Sequence, residues 1–308
     1  MTKVADRETT AQRLLTGSVR RSYDPDIDID WDAPLVEGKY FAPPATLTLY
    51  ATPLWDRLTE EQRIELSRQQ TVNAVSVGIW FENILNQLLL RMTYEQDPTK
   101  RHVHYALTEL ADECRHMTMF GRLIEALGER PYKQGFVLHN LGRVLPLVLR
   151  GPSVWVAALI GEEIFDSIQR ATMHDERLQP LVRQVMSIHV IEEARHIRYA
   201  REDTVRRLER SPWWVRELSR LVVGAGALLL QTVLARPEMY KRAGLDVREA
   251  RKAARTNAHA RQFRAEGFER LRSFLAEQGL IGGPTRVFWH LAHVHPDGTE
   301  VRLLGPST

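Results

Sequence analysis

"ADECRH" at residues 111–116 and "IEEARH" at residues 191–196 say nearly the same thing: an acid, then Glu, any residue, Arg and His. In each, the Glu and the His are three apart, so on an α-helix they share a face and the pair can grip one metal ion. A single Glu-x-x-His is more often ordinary helix-surface charge than a ligand pair. The reading changes when each half is followed upstream. Glu82 stands 31 residues before Glu113, Glu162 stands 31 residues before Glu193, and the two halves are offset by 80. The flanking segments, "SVGIWFENILNQLLL" around Glu82 and "VWVAALIGEEIFDSI" around Glu162, read as apolar helix.

Two copies of helix–Glu followed by helix–Glu-x-x-His make the ligand set of a four-helix bundle that holds two metals between its helices. The charges balance, because four carboxylates offset two divalent ions, whereas four Glu in a core without a cation would be very costly. Carboxylate and imidazole donors suit iron or manganese, and the lack of a cysteine cluster argues against structural zinc. Glu163 is the rival of Glu162, but the matched spacing favours Glu162 and turns Glu163 about 100° around the helix. His189, four residues before Glu193, lies on the same face as Glu193 and His196 and can reach the cluster; the alternative is an outer or surface histidine. Its counterpart in the first half is Glu109, so the internal symmetry breaks there.

Asp112 and Glu192 precede the ligand Glu residues, and Asn86 and Asp166 lie one turn beyond Glu82 and Glu162, so any of the four could fix an imidazole tautomer. Arg115 and Arg195 would pair with Asp112 and Glu192, or form solvated salt bridges on the outer face. Gly78 and Ala158, one turn before Glu82 and Glu162, leave room for dioxygen or for close helix packing. Trp80, Phe81, Met117 and Phe120 could line a pocket, though core packing is the ordinary role of such residues.

The rest of the chain is consistent with a soluble, all-α protein. Of 308 residues, 44% are hydrophobic and 26% charged, with a net charge of +3. Nothing there calls for a nucleic-acid partner. Cys114 is the one cysteine, which excludes an internal disulfide and fits a reducing cytoplasm. The start "MTKVADRETTAQRLL" has no signal-peptide core, and the apolar stretch Leu221–Ala235 is too short to span a membrane and reads as a buried core helix.

Residues 1–45 read as an N-terminal arm wrapped on the surface, residues 46–281 as the helical metal-binding domain, and residues 282–308 as a tail packed on it. Helices are expected at 59–95, 99–127, 137–149, 153–174, 177–209, 212–236 and 246–279. Asp97-Pro98 should start the second of these, Gly128 should end it, and Gly151-Pro152 should break the run before the fourth. The tail, with Pro296-Asp297-Gly298, suggests a hairpin.

Over residues 60–280 the chain resembles the ferritin-like diiron-carboxylate proteins, and "HVIEEARH" (residues 189–196) makes it similar, within them, to the arylamine N-oxygenases of the p-aminobenzoate N-oxygenase type. That family is known for a third histidine at the position of His189. The resemblance implies a ferritin-like bundle with additional helices, and seven protein ligands: Glu82, Glu113, His116, Glu162, His189, Glu193 and His196. It further implies two iron ions, dioxygen as co-substrate, an external electron donor, a homodimer, and oxidation of an arylamine towards hydroxylamine and nitro products.

No substrate-binding residue can be matched; Arg255, Arg261 and Arg264 are candidate anchors for a substrate carboxylate. Other readings stay open: a diiron oxidase or hydroxylase acting on a non-amine, or a non-enzymatic iron-binding bundle. A radical-generating subunit like that of ribonucleotide reductase is disfavoured, because Phe120 stands where that family has a tyrosine.

Overall fold

The computed structural model describes residues 4–294. In chain order the α-helices are α1 (Arg7–Arg20), α2 (Pro25–Asp28), α3 (Pro53–Arg57), α4 (Glu60–Tyr94), α5 (Arg101–Ala126), α6 (Phe136–Val148) and α7 (Pro152–Met173). They continue with α8 (Pro180–Glu209), α9 (Trp213–Leu234), α10 (Pro237–Arg242), α11 (Val247–Thr256), α12 (Ala258–Glu277) and α13 (Arg286–Leu291). Among the described residues there is no β-sheet, only an isolated bridge between Tyr40 and Leu178. The fold is all-α, a ferritin-like four-helix bundle of α4, α5, α7 and α8 with further helices around it.

Local chemistry sets the ends of these helices. A capping box opens α4: the Thr59 side chain accepts from Gln62 N–H, and Gln62 reaches back to Thr59 N–H. Proline occupies the first turn of α7 and α8, where its missing N–H costs nothing. Gly128 ends α5 at φ +67° and Gly151 precedes α7 at φ +60°, both in the region that glycine tolerates. Asp97 does not start α5; it caps a turn by accepting from Thr99 N–H and Oγ1, and α5 begins at Arg101.

Tertiary packing overrides the expected pattern elsewhere. The N-terminal segment contains a real helix, α1, capped by Asp6 and docked over α5 and α8 with Thr10, Ala11 and Leu14 buried. Arg206 holds it from α8 by donating to Ala5 O and Thr10 Oγ1. The long helix expected over 246–279 divides at Asn257, whose Nδ2 donates to Thr48 O and Tyr50 O while Oδ1 caps α12 at Ala260 N–H. A loop thus recruits this side chain, and the helix axis breaks there.

Residues 283–291 form a 3₁₀ turn and α13 where a hairpin was expected: Trp289 is fully buried edge-on to Phe268, and Phe288 lies against Gly224 of α9. The Pro296-Asp297-Gly298 turn lies outside the described residues. Nor is α9 a wholly buried core helix. Val223, Gly224, Ala227, Leu230 and Val233 face inward, while Leu218, Leu221, Trp213 and Trp214 are exposed. By length and composition Trp213–Arg242 could cross a membrane; 33% of its most apolar stretch is buried in the fold, and the α-helix is interrupted between α9 and α10.

A smaller apolar cluster lies around Ile84 and Leu88, and two large ones fill the ends of the bundle. Tyr105, Trp155, Tyr199 and Phe268 belong to one, and Met119, Leu123, Val185 and Ile188 to the other. Between Tyr105 and Met119 on α5, and between Ile188 and Tyr199 on α8, falls a layer of buried acids and histidines.

Candidate metal centre

Glu82 is presented by α4, Glu113 and His116 by α5, Glu162 by α7, and His189, Glu193 and His196 by α8; all seven are at most 3% exposed. Their donor atoms converge. Glu82, His116 and His189 offer one atom each within a mutual 4.8 Å, and so do Glu113, His116 and Glu193. His189 Nε2 lies 3.1 Å from Glu82 Oε1, and His116 Nδ1 lies 3.0 Å from Glu113 Oε2. Similarly, His196 Nδ1 is 3.0 Å from Glu113 Oε1 and 3.2 Å from Glu193.

The outer nitrogens of the two Glu-x-x-His histidines are held crosswise between helices. His116 Nε2 on α5 meets Glu192 Oε2 on α8 at 2.9 Å, and His196 Nε2 on α8 meets Asp112 Oδ2 on α5 at 3.1 Å. Each Nε2 donating to a carboxylate leaves Nδ1 free to face the cluster, the arrangement that fixes a ligand's tautomer and raises its basicity. Arg115 and Arg195 sit over Asp112 and Glu192, with Arg195 3.3 Å from Asp112 and 3.6 Å from Glu192. These arginines are partly exposed while the acids they neutralise are buried, so the group is a cap on the cluster.

Asn86 and Asp166 do neither job. Asn86 Nδ2 points to Cys114 Sγ at 3.7 Å, and the buried Asp166 pairs at 2.7 Å with the half-exposed Arg170 one turn further along α7. One turn beyond Glu82 and Glu162, both lie about 6 Å further along their helices and meet other partners than the imidazoles. Glu163 faces away too, in a two-pronged pair with Arg201 of α8 whose Nε–Oε1 arm is 2.7 Å. Glu162 has no such partner, and its Oε1 is buried and unpaired.

Electrostatics mark the cluster as a place for cations. Burial pushes the Glu82 carboxyl up to about 7, and burial together with the charges of Glu193 and Glu113 pushes Glu162 well above the ordinary range. Burial alone would lower His116 and His196, yet the carboxylates around them hold both well above the usual imidazole value. Burial would raise Glu193, but the two imidazoles hold it well below. Metal binding at the raised groups is therefore coupled to proton release. The oxygens Glu82 Oε2 and Glu162 Oε1, buried without a hydrogen-bond partner, are what a dinuclear carboxylate site leaves free for cations.

Of the aromatic residues that might line a pocket, Phe120 does so. Its ring lies 4.9 Å from that of His189 and forms part of the wall of a cavity of about 120 Å³, with Thr71, Ile164, Gln169, Leu230 and Phe263. Trp80 instead packs with Ile84 and Leu88, Phe81 lies on Gly161, and Met117 Sδ meets Asn83. Nor is the space at Gly78 open: a Cβ there would be 3.1 Å from the Phe120 ring, so the glycine serves close packing. Among the three candidate arginines only Arg264 reaches the cavity, and its Nε is buried without a partner; Arg261 donates to Arg255 O, away from it. Gln169, with Oε1 likewise buried and unpaired, was not singled out by sequence.

Known proteins resemble this chain over most of its length. Uncharacterized proteins of Mycobacterium tuberculosis and Mycobacterium bovis are 29% identical over 315 residues, spanning 97% of this chain and 91% of theirs. A solved variant of an R2-like ligand-binding oxidase reconstituted with a Mn/Fe cofactor overlays 90% of this chain and 94% of its own at 15% identity, with a TM-score of 0.49. The model of the p-aminobenzoate N-oxygenase AurF family matches residues 4–279, and the chain belongs to that family.

Proposed function

We propose that this protein is an O₂-dependent dinuclear-iron monooxygenase that N-oxygenates a small aromatic amine. The reading rests on one observation: a buried cluster of four glutamates and three histidines, separated by the Phe120 ring from an apolar cavity with a single guanidinium in its wall. At about 120 Å³ the cavity is close to the ~150 Å³ that holds benzene in an engineered protein core, so it suits one aromatic ring.

Glu82, Glu113, His116, Glu162, His189, Glu193 and His196 hold the ions, and the iron pair supplies the reduction of dioxygen, with electrons from an external donor. Asp112 and Glu192 keep His196 and His116 in one tautomer, and Arg115 and Arg195 pair with those acids from the outer side. The flanking apolar clusters exclude water, and the Arg264 guanidinium offers a charge-assisted hydrogen bond to an anionic substituent on the ring.

The test is to load the protein anaerobically with Fe(II), then add O₂ and reductant with a panel of aryl amines, alkyl amines and non-amine aromatics. About two irons per chain and hydroxylamine or nitro products from aryl amines are expected. Glu162→Ala should lose iron and turnover while Glu163→Ala keeps its iron. Saturation at one iron in folded protein, or products from the non-amines alone, would overturn the proposal.

A further inference from the structure

Glu109 occupies, around His196, the place that His189 occupies around His116. In sequence it stands four residues before Glu113, as His189 stands four before Glu193, at the same offset of 80. The symmetry holds in space. His189 leans across the bundle from α8 to the donors of the first half, its ring 4.4 Å from that of His116 and its Nε2 3.1 Å from Glu82. Glu109 leans the opposite way, from α5, and its carboxylate shares a mutual 4.8 Å sphere with donor atoms of Glu113 and His196.

The side chain is 1% exposed, and its Oε2 has no hydrogen-bond partner. No arginine is paired with it among the described residues, because Arg115 and Arg195 are engaged by Asp112 and Glu192. A buried carboxylate oxygen with nothing to hold is costly, and a cation beside His196 removes that cost.

We propose that Glu109 is an eighth protein ligand, which gives the metal beside His196 an anionic oxygen where the metal beside His116 has the neutral nitrogen of His189. This rests on the dinuclear reading above. Glu82, Glu109, Glu113, Glu162 and Glu193 then supply five negative charges, one more than two divalent ions carry and one fewer than two trivalent ions carry. The acidic half-site therefore favours the harder, more highly charged ion, and the two metals differ in affinity and in electronic environment.

The experiment uses Co(II), which binds oxygen and nitrogen donors, needs no oxygen chemistry and reports its coordination by visible absorption. The full-length metal-free protein is titrated as wild type, Glu109→Gln, Glu109→Asp and His189→Ala, with calorimetry and spectra on the same samples. Wild type should bind two ions. Glu109→Gln, isosteric and neutral, should weaken one binding step at least tenfold with the other within about threefold, and change the absorption of that ion alone. His189→Ala should perturb the other ion, and the effects of the two should add in the double variant. Glu109→Asp, which keeps the charge, should lose less than Glu109→Gln. Titration curves and spectra of Glu109→Gln matching wild type would overturn the Glu109 assignment and leave the dinuclear reading standing. Wild type saturating at one ion would overturn both.

Discussion

A methyl group added at Gly161 should loosen the joint that aligns two of the candidate ligands. Phe81 of α4 lies directly on the backbone of α7 at Gly161, where a Cβ would sit 2.2 Å from Cζ, 2.3 Å from Cε1 and 2.6 Å from Cε2 of the ring. Carbon atoms in contact keep about 3.5–4.0 Å, so the ring must retreat by roughly an ångström or more. Phe81 immediately precedes Glu82 and Gly161 immediately precedes Glu162, so the displacement acts on one donor from each helix. Overpacking of this kind costs about 1–3 kcal/mol, against which alanine contributes about 1 kcal/mol of helix propensity over glycine. A retreat of that size puts the cost in the upper part of this range, about 2–3 kcal/mol, so Gly161→Ala should lose about 1–2 kcal/mol net, a fall in Tm of roughly 2–6 °C, and bind metal less tightly. Gly121→Ala on α5 is the control: that site is exposed with nothing within 4 Å of the new Cβ, and should gain about 0.5–1 kcal/mol. Calorimetry of the metal-free proteins, metal titration, and a double-mutant cycle with Phe81→Ala measure the effect, and the cycle should show a favourable coupling of about 1 kcal/mol or more. If Gly161→Ala melts and binds metal like wild type, the ring-on-backbone contact does not align the site.

The pH dependence of stability in the metal-free protein should disappear on metal loading. Glu82 and Glu109 are raised by burial from the ordinary 4.5 to about 7 and about 8, so the stability they contribute is full below pH 4.5 and is lost as pH rises through 7 and 8. His116 and His196, also raised, act in the same sense. Metal-free protein should lose on the order of 5–10 °C of Tm between pH 6 and pH 9, whereas metal-loaded protein, with cations in place of protons, should not; a metal-free Tm that climbs over this range contradicts the assignment. On the outside, Val137, Leu141, Val144 and Val148 line one exposed face of α6, beside exposed Phe136 and Leu147. Light scattering should show a dimer at micromolar concentration, and Leu141→Glu with Val144→Glu should yield a monomer that keeps its metal content; a monomeric wild type would refute the homodimer.

Helical class, the approximate span of the bundle helices and the doubled Glu/Glu-x-x-His pattern were all legible in the sequence. Each is a consequence of the helix's own period: residues three, four and seven apart share a face whatever packs against it, and a 31-residue spacing written twice, 80 residues apart, survives as a repeat. The neighbours of the site were not legible, because they depend on which helix lies opposite. The acid beside each ligand Glu was visible, yet only packing sends Asp112 to His196 and Glu192 to His116, each across the bundle. Glu162 and Glu163 differ by one residue, and Arg201, arriving from α8, takes Glu163. Arg264 and Arg261 share a helix, and the side facing the cavity is decided by how α12 lies on α7. Likewise the chain's amphipathic start did not show that α1 docks over α5 and α8, and α11 parts from α12 because a distant loop claims the Asn257 side chain. Periodicity is a local property that a chain carries with it; the partner of a side chain across a bundle is set by the relative rotation and rise of two helices, which only the packed core determines.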